Sequence, residues 1–203
     1  MTTGEAGVVD SSSAELRRTP FESDRFAGEL DWLRNRQLAR TELITNGGFD
    51  TGDLTGWQSV RTDEDDIETR TLRIGGIPGP QAGSHLNFFV TNDPSYIYQS
   101  FPTRVGATYD VSLYVAVVTS QERFENFTEI DLFSSGGDPG TGAGDLISDK
   151  QDFSDYLSKG WVQKRFQFVA TSTTTTFRAL DRGTKTADWG IDSVSVTEIR
   201  LKQ

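Results

Sequence analysis

The chain has 203 residues, a net charge of −10, a single histidine and no cysteine. The missing cysteines exclude a disulfide framework and a thiolate metal site. The acidic balance argues against a nucleic-acid backbone or an anionic membrane surface as partner, since both need concentrated Lys and Arg.

Hydrophobic residues make up 34% of the chain, but 13 Phe and four Trp are among them. A few such side chains can carry a sandwich core. The first residues, Met1-Thr2-Thr3-Gly4-Glu5-Ala6, have no basic stretch and no apolar run, so no secretory leader is predicted. No apolar run approaches the ~18 residues of a membrane span. Export would then depend on something other than the chain's own signal.

Residues 1–18 are small and polar and read as an arm. Thr19-Pro20-Phe21-Glu22 carries a capping residue, a proline suited to the first helical position and a glutamate placed for a capping box. Phe26, Leu30 and Leu33 follow at helical spacing. An amphipathic helix is therefore expected over residues 20–40. Its apolar stripe either packs on the chain's own body or docks on another subunit. The expected division is 1–40 as anchoring segment and 41–203 as one β-domain.

From residue 41 the period changes to two. Strands are predicted near 41–45, 55–60, 67–74, 84–91, 96–103, 108–118, 127–134, 161–170, 173–181 and 190–199. In the strongest, Tyr109, Val111, Leu113, Val115 and Val117 share one face, and Asp110, Ser112 and Tyr114 the other. Many short strands separated by Gly- and Asp-rich turns predict a mostly β protein, an antiparallel sandwich. Two loops interrupt the pattern. Residues 61–66 form an acidic cluster, read as a solvated turn or as a site for a cation or basic partner. Residues 134–144 are Gly-rich but lack the Gly-Lys-Ser/Thr end of a phosphate loop.

Four stretches in order resemble galactose-binding-like jelly rolls, the β-sandwich type of many carbohydrate-binding modules. They are Leu43-Ile44-Thr45-Asn46-Gly47-Gly48-Phe49-Asp50 with Gly56-Trp57; Tyr98-Gln99-Ser100-Phe101 through Gly106-Ala107-Thr108-Tyr109; Gly160-Trp161 with Phe166-Gln167-Phe168; and Gly190-Ile191-Asp192-Ser193-Val194. The similarity spans about residues 41–199. It implies core roles for Trp57 and Trp161. It also implies a structural calcium where first and last strands meet, with Asp50 and Asp192 as ligands and carbonyls near Asn46 or Gly47 completing the shell. Asp192, in phase with Val194 and Val196, is expected to point inward. It holds either calcium or backbone N–H groups.

Sugar recognition needs aromatic faces for pyranose rings, and amides and carboxylates for hydroxyls. The candidates are Tyr96, Tyr98, Tyr114 and Trp189, with Asn87 and Gln99; in this fold such residues are more often core or subunit contacts. His85 sits on a strand beside Leu86, no serine has a base and orienter pattern around it, and no carboxylate pair stands out. The expectation is therefore a protein without catalysis. The first functional reading is a structural or attachment component of a phage-like virion, a homo-oligomer anchored to protein subunits by its arm. The alternative is a stand-alone module binding cell-surface or polymeric glycans. The two readings can combine.

Overall fold

The computed structural model describes residues 40–61, 67–70, 85–88, 94–117, 127–152, 160–182 and 189–200. The predicted arm, the helix with Phe26, Leu30 and Leu33, and residues 62–66 of the acidic cluster lie outside them.

The described residues form ten strands: β1 (Gln58–Val60), β2 (Ile67–Arg70), β3 (His85–Phe88), β4 (Ser95–Pro102), β5 (Thr108–Val117), β6 (Phe127–Phe133), β7 (Ile147–Asp152), β8 (Val162–Val169), β9 (Thr174–Asp181) and β10 (Trp189–Glu198). They make two five-stranded antiparallel sheets, in the orders β1-β4-β9-β6-β7 and β2-β3-β10-β5-β8. Alternation drives this arrangement. Ile97, Ile130, Leu132, Phe177 and Ala179 of the first sheet are fully buried, as are Leu86, Leu113, Val115, Trp189, Ile191 and Val196 of the second. One apolar cluster joins both inner faces, as expected of a sandwich.

Two strand expectations are corrected. Residues 41–45 form no strand; Glu42 makes a single bridge to Thr197. The glutamate ties this segment to β10 instead. Its carboxylate accepts the Leu43, Ile44 and Val196 N–H groups and the Ser195 hydroxyl at 2.6–3.0 Å. In the other direction, β7 was not expected. Its sequence Ile-Ser-Asp-Lys-Gln-Asp offers one apolar residue and no alternation. It exists because it pairs with β6 along an edge, where backbone bonds suffice.

The opening motif, residues 46–50, ties its loop to β10. The residues with positive φ are Asn46 (53°) and Phe49 (54°), not Gly47 or Gly48. Gly47 serves close approach: a Cβ there would lie 1.9 Å from the Val194 carbonyl oxygen. The Gly47 carbonyl accepts the Val194 N–H at 2.9 Å, joining the loop to β10. Phe49, despite its unfavourable φ, is fully buried. It stacks on Trp57 at 5.6 Å, and Trp57 meets Phe177 edge-on at 5.8 Å. The Trp57 indole N–H donates to the Asn46 carbonyl at 3.1 Å. Trp57 therefore has its expected core role.

Candidate functional site

The predicted sugar-binding residues do not form one platform. Register divides them between the outward faces of the two sheets and the core.

Trp189 and Gln99 are turned away from solvent. Trp189 is fully buried, and its indole N–H donates to Asp181 at 3.1 Å. Gln99 spends its amide on the Thr45 backbone, accepting the N–H at 2.7 Å and donating to the carbonyl at 3.0 Å. Neither can stack on or bond a ligand as placed.

Tyr96 and Tyr98 lie on the outward face of the first sheet, with ring centroids 6.2 Å apart. The Gly-rich loop 134–146 closes over this face. The Tyr96 hydroxyl donates to Asp138 at 2.7 Å. Thr176 donates to the Ser135 carbonyl at 2.6 Å, and the Gly137 N–H donates to Ser100 at 3.0 Å. Beneath the loop lies Arg178, fully buried. It donates to Asp131 at 2.5 Å and to the Gly142 carbonyl at 2.6 Å, and it also bonds the Gly140 carbonyl. Glu129, also fully buried, meets Lys150 at 3.5 Å and Arg182. Burial, reinforced by the bond to Asp138, pushes the Tyr96 hydroxyl up to about 12 from 10.0. Tyr96 therefore stays a neutral donor at ordinary pH. This face is closed by its own loop and charges, so it offers little to a ligand.

The other sheet differs. Pairing of β5 with β8 and β10 lines up its outward side chains in rows. One row is Gln167, Asp110 and Thr197; the next is Arg165, Ser112 and Ser195; the third is Gln163, Tyr114 and Asp192. Over the first two rows lies a cavity of about 580 Å³, lined by Arg40, Asp110, Ser112, Arg165, Gln167 and Ser195 among others. That size suits a small ligand. Asp110 anchors one wall, accepting Gln167 at 2.6 Å and pairing with Arg40 at 3.3 Å. Tyr114, half-buried, stands two residues beyond Ser112, about 7 Å along the strand. Asn87 holds a register position in β3 beside Gly190, one row further on.

Chemically, the cavity presents guanidinium, amide, carboxylate and hydroxyl groups on a rigid sheet, with an aromatic residue adjacent. Of the sugar candidates with described side chains, only Tyr114 belongs to this sheet's outward side. Arg165, Gln167, Ser112 and Ser195 were missed, although Arg165 and Gln167 alternate with Phe166 and Phe168 in the sequence. That alternation was the available signal.

Asp192 needs a correction of phase. A bulge between Asp192 and Ser195 inserts one residue, with Ser193 at φ 54°. Asp192 pairs with Tyr114 and shares its outward side, while Val194 and Val196 stay in the core. Its carboxylate nevertheless is buried and accepts the Ser193 N–H at 2.5 Å. Asn46 turns its side-chain N–H group to the Asp53 carbonyl at 3.0 Å. Its own carbonyl already takes the Trp57 indole, and Asp50 is exposed. These residues are held by hydrogen bonds within the opening loop and β10. Among the described residues no three His, Asp or Glu side chains are grouped as metal ligands.

No family model and no curated protein matches this sequence. Solved structures do match its fold. A family 61 carbohydrate-binding module, solved with β-1,4-galactotriose, is 16% identical with a TM-score of 0.56, covering 77% of this chain and 97% of that one. A Stig cyclase from Fischerella sp. TAU is 12% identical with a TM-score of 0.57, covering 81% and 100%. An enzymatically active domain of tailspike protein 4 from bacteriophage CBA120 is 10% identical with a TM-score of 0.56, covering 78% of this chain and 21% of that one. Modules of families 22 and 16 also match. The chain has the β-sandwich fold of carbohydrate-binding modules. At these identities the likeness extends to fold alone, which binding modules and cyclases share.

Proposed function

We propose that the chain is a glycan-binding module that works by recognition without chemistry, through the outward face of β10, β5 and β8. The observation that carries this reading is the polar cavity over the Asp110 and Ser112 rows, with Tyr114 beside it. Hydroxyl-rich ligands need such a set: planar donors, fixed acceptors and one aromatic surface. The occurrence of the same fold in carbohydrate-binding modules supports it. A glycan array on the full chain tests it. Binding to a defined glycan class should be lost in Tyr114→Ala and Gln167→Ala while the unfolding midpoint is kept. A chain that binds no glycan rules the reading out.

A second reading is that this sandwich serves an assembly, as a virion attachment or decoration protein. Its support is the similar domain within a bacteriophage tailspike. Residues 1–40 would then dock on other subunits, through Phe26, Leu30 and Leu33. Sedimentation of the chain with and without residues 1–40 tests this. An unchanged oligomeric state rules out that docking role.

A further inference from the structure

The cavity contains one strong donor that the protein leaves uncommitted. Its charged groups are Arg40, Asp110 and Arg165, and Glu42 lies next to it through Ser195. Asp110 is occupied by Arg40 and Gln167. Glu42 is occupied by three backbone N–H groups and the Ser195 hydroxyl. Arg165 makes no hydrogen bond or ion pair with any described residue. It stands at the cavity wall, in register with Ser112, and Ser112 pairs in turn with Ser195.

A guanidinium presents paired N–H donors in a planar fork, which matches a carboxylate in two parallel bonds. In its row the Ser112 hydroxyl can donate to the same anion, while the Ser195 oxygen, whose proton goes to Glu42, can accept from a neighbouring sugar hydroxyl. With Asp110 and Glu42 already bonded within the protein, the Arg165 fork is left to a ligand in the cavity.

From this geometry we infer that the ligand carries a carboxylate: a glycan containing uronic acid, with Arg165 binding its carboxyl group. The inference rests on the glycan-binding reading and narrows it to acidic sugars. The chain's net charge of −10 makes long-range attraction of such a polymer unfavourable. Recognition must therefore be short-range, and is best measured at 0.15 M salt, where the screening length falls to about 8 Å.

The test is calorimetric titration of the full chain with two probes of equal length and linkage, an oligogalacturonate and its fully methyl-esterified, neutral counterpart. The acidic probe should bind at least tenfold tighter. Arg165→Gln should weaken the acidic probe at least tenfold more than the neutral one and so abolish that difference; Arg165→Lys should restore part of it. Arg165 is exposed, so both variants should keep the native unfolding midpoint. Equal or tighter binding of the neutral probe overturns the carboxylate assignment and leaves the glycan reading standing. Equal weakening of both probes in Arg165→Gln also overturns it. If neither probe binds, this inference fails, and the glycan array decides whether the broader reading fails with it.

Discussion

Arg178 on β9 and Asp131 on β6 face each other in register, with Nη2 2.5 Å from Oδ2 and neither side chain exposed. The pair lies on the outward side of its sheet, yet it is sealed. The guanidinium is 4.9 Å from the Phe133 ring centroid and 5.8 Å from that of Tyr96, and loop carbonyls take its remaining donors. Removing Asp131 would leave Arg178 only the more distant Glu129, at 3.9 Å, in a dry site, at a cost of roughly 3–5 kcal/mol. Asp131→Ala should lose about that much in urea unfolding. The double variant Asp131→Leu with Arg178→Met should recover most of it. A loss of about 1 kcal/mol or less in the single variant, the range of an exposed pair, would mean that the loop does not seal this face.

Gly47 and Gly52 separate two reasons for glycine. A Cβ at Gly47 would run into the Val194 carbonyl, while one at Gly52, φ 74°, meets nothing. Gly52→Ala should therefore cost only its backbone conformation, about 1–2 kcal/mol. Gly47→Ala must push the opening loop off β10 and should cost about 3 kcal/mol or more once the Gly47–Val194 bond is lost. Thermal or urea unfolding of both variants gives the order. The reverse order would contradict the close approach.

Tyr96 predicts an alkaline limb of stability. Its folded pKa is raised from 10.0 to about 12, first by burial and then by the bond to Asp138. A group whose pKa rises on folding stabilises fully below its unfolded value and loses that contribution as pH climbs through the folded one. Stability should hold to pH 10 and fall between pH 10 and 12. Tyrosinate absorbance should show one of the five tyrosines ionising late. Tyr96→Phe should remove both the late step and that part of the limb; if the limb is unchanged, the shift belongs elsewhere.

Calcium is tested by melting the protein in calcium and in chelator. A ligand that binds only the folded state must raise the midpoint. Because Asp192 and the Asn46 carbonyl already hold protein donors, the two midpoints are expected to coincide. A higher midpoint in calcium would show that the joint between the opening loop and β10 opens to accept the ion.

The parts legible in the sequence were those governed by local period. Alternation in β5 and β8 marks which side chains seek the core, because burying one face of a strand is a two-residue repeat. The core role of Trp57 was legible through the resemblance. What escaped lacked that period. β7 is a polar edge strand held by its partner's backbone, and the bulge at Ser193 is a single inserted residue that reverses the phase of Asp192.

The site divides the same way. Composition shows tyrosines, amides and guanidinium groups, but not which of them share a surface. Tyr96 and Tyr114 carry the same chemistry, yet they face outward from opposite sheets, one under a loop and one beside a cavity. Only the hydrogen-bond register between segments distant in sequence brings Arg165, Ser112 and Ser195 into one row. Side-chain alternation is a property of neighbouring residues, so the chain itself carries it. Adjacency across strands is settled when the sheets pair and the core closes, so it belongs to the tertiary structure.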